Sequence, residues 1–107
     1  MEKIERKYVN WDRTGKNLEF LRCDNLNLRR NVCNLLNYDK GLCSGECEIC
    51  RYEMDNSISR SELATVFNVS ESVVFNWENN RTHISIEDLL FYCQLASVGI
   101  DDILVYE

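Results

Sequence analysis

Proline is absent from the 107 residues and glycine occurs only four times, so little in the chain forces a helix to break. No apolar run approaches the roughly 20 residues that a membrane span needs. The opening residues, Met1 to Lys7, are mostly charged and lack the apolar stretch of a secretory signal. A cytoplasmic location is therefore expected. Histidine is nearly missing too: His83 is the single one, and it has no evident acidic partner. With no nucleophile–base pairing and no phosphate loop, the chain does not read as an enzyme. Positive charge is in short supply, with 12 Lys and Arg against 18 Asp and Glu, a net charge of −6. That balance argues against a protein that coats nucleic acid non-specifically.

What is present suits one domain with a single core, and the 45% hydrophobic fraction is ordinary for a globular protein. The charge is unevenly spread. Residues 1–30 hold eight Lys and Arg against five Asp and Glu, whereas residues 31–107 hold four against thirteen. Residues 1–14, with Lys3, Arg6, Lys7, Tyr8, Val9 and Trp11, read as an N-terminal arm whose aromatic side chains dock on the body. Residues 15–107 then form the domain, with a cysteine-rich insertion over about 33–56. Residues 16–25 and 27–37 carry apolar side chains at helical spacing, Leu18 and Leu21 in the first and Leu28, Val32, Leu35 and Leu36 in the second. Periodicity is lost over 38–52, which reads as a loop.

From Ile58 onward the pattern sharpens. Ser59 and Glu62 have the spacing of a capping box, in which a hydroxyl and a carboxylate each satisfy a free amide at a helix start. Leu63, Ala64 and Phe67 follow on one face. Asn68-Val69-Ser70 is a short turn, and Ser70 is placed to cap a second helix running through Asn79 with Val74 and Trp77 inward. Asn80 suits the left-handed conformation that ends such a helix. Ser85 and Asp88 repeat the capping spacing, and Leu89, Leu90, Cys93, Leu95 and Ala96 carry the next helix to Gly99. A last helix from Asp101 to Val105 turns Ile103 and Leu104 inward. Two short helices joined by about four residues are the geometry that lets the second enter the major groove of DNA.

Four strings carry a more specific signal: Ile58-Ser59-Arg60-Ser61-Glu62-Leu63-Ala64, Phe67-Asn68-Val69-Ser70, Trp77-Glu78-Asn79-Asn80-Arg81 and Ile86-Glu87-Asp88-Leu89-Leu90. Together, over about residues 57–105, they resemble the lambda-repressor-like (Cro/C1-type, XRE) helix-turn-helix family. Gly15 to Arg22 is similar to that family's first helix. The resemblance implies an all-α, five-helix domain and a sequence-specific regulator of transcription that binds double-stranded DNA, as a homodimer because one small module buries too little to be selective. In the family, a few residues separate the first two helices; here about thirty intervene. Either residues 16–25 are the first helix with an insertion after it, which is the preferred reading, or residues 27–37 take that role. Asn80 stands where the family usually has glycine and Ile84 where it often has proline.

Carried over position by position, the resemblance places Glu71, Ser72 and Asn76 where base edges are read. Arg60 and the helix start at Ser59 fall where phosphate is gripped. Asn79, Arg81 and Thr82 fall in the loop that touches the opposite backbone, and Arg22 is implied to pair with Glu78. Asn76 has the amide to pair bidentately with adenine, Glu71 can accept from the cytosine amino group, and Val73 or Phe75 can meet a thymine methyl. Each has a plainer reading beside it. Ser70 is a cap before it is a contact, Ser72 and Asn76 suit a solvated face, and a carboxylate at Glu71 is repelled by phosphate unless it finds cytosine. The acidic surroundings of the motif favour a second reading, a protein-interaction adaptor built on the same fold.

Cys43, Cys47 and Cys50, separated by three and two residues, form a dense thiol cluster, with Cys33 upstream. Four thiolates make a closed tetrahedral site of the kind structural zinc prefers. Cys33 is the first choice for the fourth ligand and Cys23 the alternative. The same spacing resembles the cluster motif of radical-SAM enzymes, whose chemistry needs a far longer chain. An iron–sulfur cluster or a dithiol switch acting on the motif remains open, as does a set of idle reduced thiols. Cys23 and Cys93, at core spacing, read as idle, and His83 as a solvated residue or a phosphate contact.

Overall fold

A computed structural model of the chain describes Ile4, residues 6–37 and residues 58–107. These form five α-helices: α1 (Trp11–Asp24), α2 (Leu26–Asn37), α3 (Arg60–Phe67), α4 (Glu71–Glu78) and α5 (Ile86–Ala96). A 3₁₀ turn, Ile100–Asp102, follows. The described residues contain no strand, only an isolated antiparallel bridge between Val9 and Tyr106. The expected all-α architecture is the observed one.

α1 begins five residues before the expected Lys16. The Asn10 side chain accepts from the Arg13 amide at 3.1 Å, which satisfies a free donor at the helix start. Residues 11–14, expected in the arm, therefore make the first turn. The buried face of α1 is Thr14, Gly15, Leu18, Leu21 and Arg22, spaced as one helical stripe. Asn25 ends α1, its amide bonding the Leu21 carbonyl at 3.0 Å, and its side chain accepts from the Leu28 amide at 2.8 Å. One asparagine thus stops one helix and starts the next.

α2 packs against α5 and α3. Leu28 and Val32 are fully buried, and the Asn31 amide group donates to the Leu95 carbonyl at 2.8 Å. Leu36 continues that stripe against the core. Leu35, expected inward, is 55% exposed, because a stripe stepping by four residues leaves it on the flank. α5 buries Leu89, Tyr92, Cys93, Leu95 and Ala96. The stripe runs through Tyr92 rather than Leu90, which is 51% exposed instead of inward. Tyr92 donates its hydroxyl proton to the Leu18 carbonyl at 2.7 Å, so the one polar atom of this core residue is satisfied. Burial first, and then the negative Glu78, push its ionisation well above the ordinary tyrosine range against the opposing pull of Arg22. The phenol is a fixed donor.

α5 stops at Ala96, three residues short of Gly99, because Ser97 adopts the left-handed conformation at φ 55°. The expected helix from Asp101 to Val105 is instead the three-residue 3₁₀ turn, closed by the Asp102 carboxylate accepting from the Gly99 amide at 2.8 Å. Ile103 is fully buried and Leu104 half-buried. The tail then returns to α1. The Asn17 side chain donates to the Ile103 carbonyl at 2.9 Å, and the Val105 amide donates to the Thr14 hydroxyl at 3.1 Å. The Asn10 and Glu107 amides bond the Val105 and Tyr8 carbonyls at 2.6 and 2.8 Å.

α1 crosses the end of α4 at Gly15. A Cβ placed there would lie 2.7 Å from the Trp77 carbonyl oxygen and 2.8 Å from that of Glu78, and backbone atoms cannot swing aside. Alanine gains about 1 kcal/mol of helix propensity over glycine, but overpacking against an immobile backbone costs about 1–3 kcal/mol. Gly15→Ala is therefore expected to lower the Tm. A rise in thermal unfolding temperature would show that α1 and α4 are not this close.

Candidate nucleic-acid interface

The region 58–82 is assembled by local rules. The Ser59 hydroxyl accepts from the Glu62 amide and the Glu62 carboxylate accepts from the Ser59 amide, both at 3.1 Å. This reciprocal box opens α3. Asn68 takes φ 56° and lets the Val69 amide reach back to the Ala64 carbonyl at 3.0 Å, which turns the chain into α4. Ser70 stands at the cap position with extended backbone, but its hydroxyl bonds the Ser72 hydroxyl at 2.9 Å and makes no side-chain cap bond. The expected capping role of its side chain is therefore corrected. At the far end Asn80 is left-handed at φ 55°, as expected, and the Arg81 amide bonds the Asn76 carbonyl at 2.9 Å.

α4 is fixed from below by Val74, Trp77 and Glu78, all buried. Glu78 accepts from Arg22 Nε at 2.7 Å and from Arg22 Nη2 at 3.1 Å, a bidentate pair. Arg22 Nη1 donates to the Ile58 carbonyl at 2.8 Å. The implied pairing of Arg22 on α1 with Glu78 on α4 is thus present, which favours residues 16–25 over 27–37 as the first helix that the resemblance implies. Burial works against the Arg22 charge, but the hydrogen bond and Coulombic attraction of Glu78 outweigh it and hold the group more firmly protonated than usual. Glu78 has a second partner that the residue pattern does not indicate. Arg60 Nε donates to Glu78 Oε1 at 2.8 Å, and Arg60 Nη2 lies 3.9 Å from Glu19. Two guanidiniums and two carboxylates leave this cluster neutral.

The outward surface holds most of the residues singled out in the sequence. Ser59, Ser70, Glu71, Ser72, Phe75, Asn79, Arg81 and Thr82 are exposed, while Arg60, Val73 and Asn76 are half-buried. Val73, expected to face solvent, packs partly on the core. The Asn79 side chain donates to the Phe75 carbonyl at 2.8 Å, so it serves the end of α4 as well as the surface. Two arrangements have no counterpart in the sequence pattern. Phe75 is flanked by the guanidiniums of Arg60 and Arg81, and His83, expected to be solvated or a phosphate contact, is exposed and also stacks on Trp11 with centroids 4.1 Å apart and planes 9° from parallel. Neither has a sequence signature, since each joins separate elements.

Of the cysteines, Cys93 is buried and Cys23 exposed, although both have the spacing of core residues. Burial, and after it the charge of Asp102, push the Cys93 thiol up, away from the thiolate a metal needs. Cys33 lies half-buried on α2. Cys43, Cys47 and Cys50 lie outside the described residues, as do the loop expected over 38–52 and the rest of the insertion to residue 56. Among the described residues no helix is long and apolar enough to cross a membrane.

Comparison with known proteins adds one finding. Residues 54–103 match the model of a family described as helix-turn-helix. No curated protein and no solved structure gives a significant match.

The buried pair has a measurable consequence. Arg22→Met leaves the Glu78 carboxylate with Arg60 alone in a buried setting, and loss of one member of such a pair costs about 3–5 kcal/mol. Chemical denaturation of R22M, E78Q and the double variant should show the double less damaged than the sum of the singles. Additive losses would show that the two side chains do not interact.

Proposed function

We propose, from the match of residues 54–103 to a helix-turn-helix family and their resemblance to lambda-repressor-like proteins, that the protein is a sequence-specific, DNA-binding regulator of transcription acting in the cytoplasm as a homodimer. The observation that carries this reading is the outward face of α4, where Glu71, Ser72, Phe75 and Asn76 sit together while Val74 and Trp77 anchor the helix from behind. In this reading Asn76 reads adenine, Glu71 accepts from cytosine, Ser70 and Ser72 add hydroxyl contacts, and Val73 meets a thymine methyl. Ser59 and Arg60 at the start of α3, with Asn79, Arg81 and Thr82 after α4, take the flanking phosphates.

The acidic composition shapes the binding. The cations that displace counterions are few: Arg60, which shares its charge with Glu78 and Glu19, Arg81, and the basic arm at Lys3, Arg6 and Lys7. The salt dependence is therefore shallow, on the order of three to five counterions per protomer. Negative surroundings also penalise indifferent duplex, which favours selectivity. Mobility shifts on genomic fragments at two salt concentrations test the reading. Asn76→Ala should cost about 1–3 kcal/mol and relax preference at one base pair, whereas Arg81→Ala should weaken every sequence alike and lower the salt slope by about one. If no fragment shifts at low salt while a protein partner is retained through the same face of α4, the adaptor reading replaces this one.

The thiol cluster supports a second proposal, one zinc ion held by Cys33, Cys43, Cys47 and Cys50 within the insertion between α1 and α3. The spacing of the four cysteines and the position of Cys33 on a packed helix support it. Protein purified without chelator should carry one zinc per chain with sulfur–metal distances of about 2.3 Å. Stoichiometric iron would instead favour a cluster, and six freely titratable thiols without metal would end both.

A further inference from the structure

Phe75 is 39% exposed on the outward face of α4. Its two cationic neighbours come from two different elements. The Arg60 guanidinium carbon, from α3, lies 5.2 Å from the ring centroid, and that of Arg81, from the loop after α4, lies 5.8 Å away. Both distances fall within cation–π range. Each arginine is also held elsewhere, Arg60 by Nε on Glu78 at 2.8 Å and Arg81 by its backbone amide on the Asn76 carbonyl at 2.9 Å. A guanidinium against an aromatic ring keeps donors in its plane available to an acceptor, which an ammonium cannot do in the same way. Arg60 Nη2 is 3.9 Å from Glu19, beyond hydrogen-bond length.

We propose that Phe75 is a positioning residue that holds Arg60 and Arg81 ready for two backbone phosphates of DNA, rather than a side chain that reads a base. The proposal rests on the DNA-binding reading above. An exposed arginine samples many rotamers, and ordering it on binding costs affinity. Packing both guanidiniums on one ring does much of that ordering in the free protein. The carboxylate of Glu78 offsets the mutual repulsion that two cations on one side chain would otherwise suffer. In a chain of net charge −6, each prepared cation counts for more than it would in a basic protein.

Phe75→Leu and Phe75→Tyr separate positioning from base reading. Leucine keeps an apolar surface for a thymine methyl but offers no π face, while tyrosine keeps the face. F75L should weaken binding to all sequences by roughly tenfold and lower the slope of log affinity against log salt, by about 0.9 for each phosphate no longer neutralised. F75Y should restore both, and F75L in an R81A background should add less than it does alone. In the free protein, the ring-current shifts of the Arg81 side-chain protons should vanish in F75L and persist in F75Y. An F75L variant that keeps the parent's salt slope and changes preference at one base pair would overturn the proposal and leave DNA binding intact. A parent protein that shifts no DNA would overturn the DNA-binding reading and the proposal with it.

Discussion

The Glu78 carboxylate is the constraint on which the arrangement of the helices depends. It is buried at the end of α4 and takes hydrogen bonds from Arg22 of α1 and Arg60 of α3. Through the third donor of Arg22 it also reaches the Ile58 carbonyl, where the described chain resumes before α3. Well-packed apolar side chains of similar volume often match such a cluster in stability. What the bidentate geometry adds is register, because three helices must present their side chains at fixed heights and angles to satisfy one carboxylate. The close crossing at Gly15 serves the same junction from the other side. Together they set how far α4 stands out from the body, and so what it presents to a groove.

How much of this is legible in the sequence follows the range of the interactions. The box of Ser59 and Glu62, the left-handed Asn80 and the inward Val74 and Trp77 depend on residues within a turn or two of one another, and their pattern states them directly. The pairing of Arg22 with Glu78 is not local, and only resemblance to a family points to it. Long-range partnerships without such a precedent leave no trace in the pattern. Tyr92 reaching Leu18, His83 stacked on Trp11 and Arg60 drawn to Glu78 each join elements far apart in the chain. The misplacements of Leu35 and Leu90 have a different origin. A stripe of apolar residues admits two adjacent choices, and only the packed neighbour decides between them. Ser70 shows the same limit on a smaller scale, since a hydroxyl two residues away competes for its side chain.

The second helix is part of the body of the domain. α2 is not appended at the surface but packed on α5 and α3, with Leu28 and Val32 wholly buried. Its side chains contribute to the same core as the helix-turn-helix. Meanwhile the groups that order α4 come from α1, α3 and the loop after α4. α2 therefore thickens the domain without supplying a residue to the outward face of α4. The charge pattern is consistent with this division: the paired arginines lie at the junction of α1, α3 and α4, while the acidic side chains of α5 and the 3₁₀ turn lie elsewhere in the chain.

The joining of the two ends has a mechanical meaning. Tyr8 pairs with Glu107 at the outer edge of the clasp, and Asn10 pairs with Val105 one step further in. A load drawing the ends apart meets these bonds in series, outermost first, in the manner of a zipper rather than a shear joint. Such a clasp yields at low force, one bond at a time. Once it has opened, tension passes to the Thr14 and Asn17 bonds that hold the tail to α1, and only afterwards to the charged junction at Glu78. The clasp therefore ties residues 8–10 to 105–107 without involving the helix that faces outward.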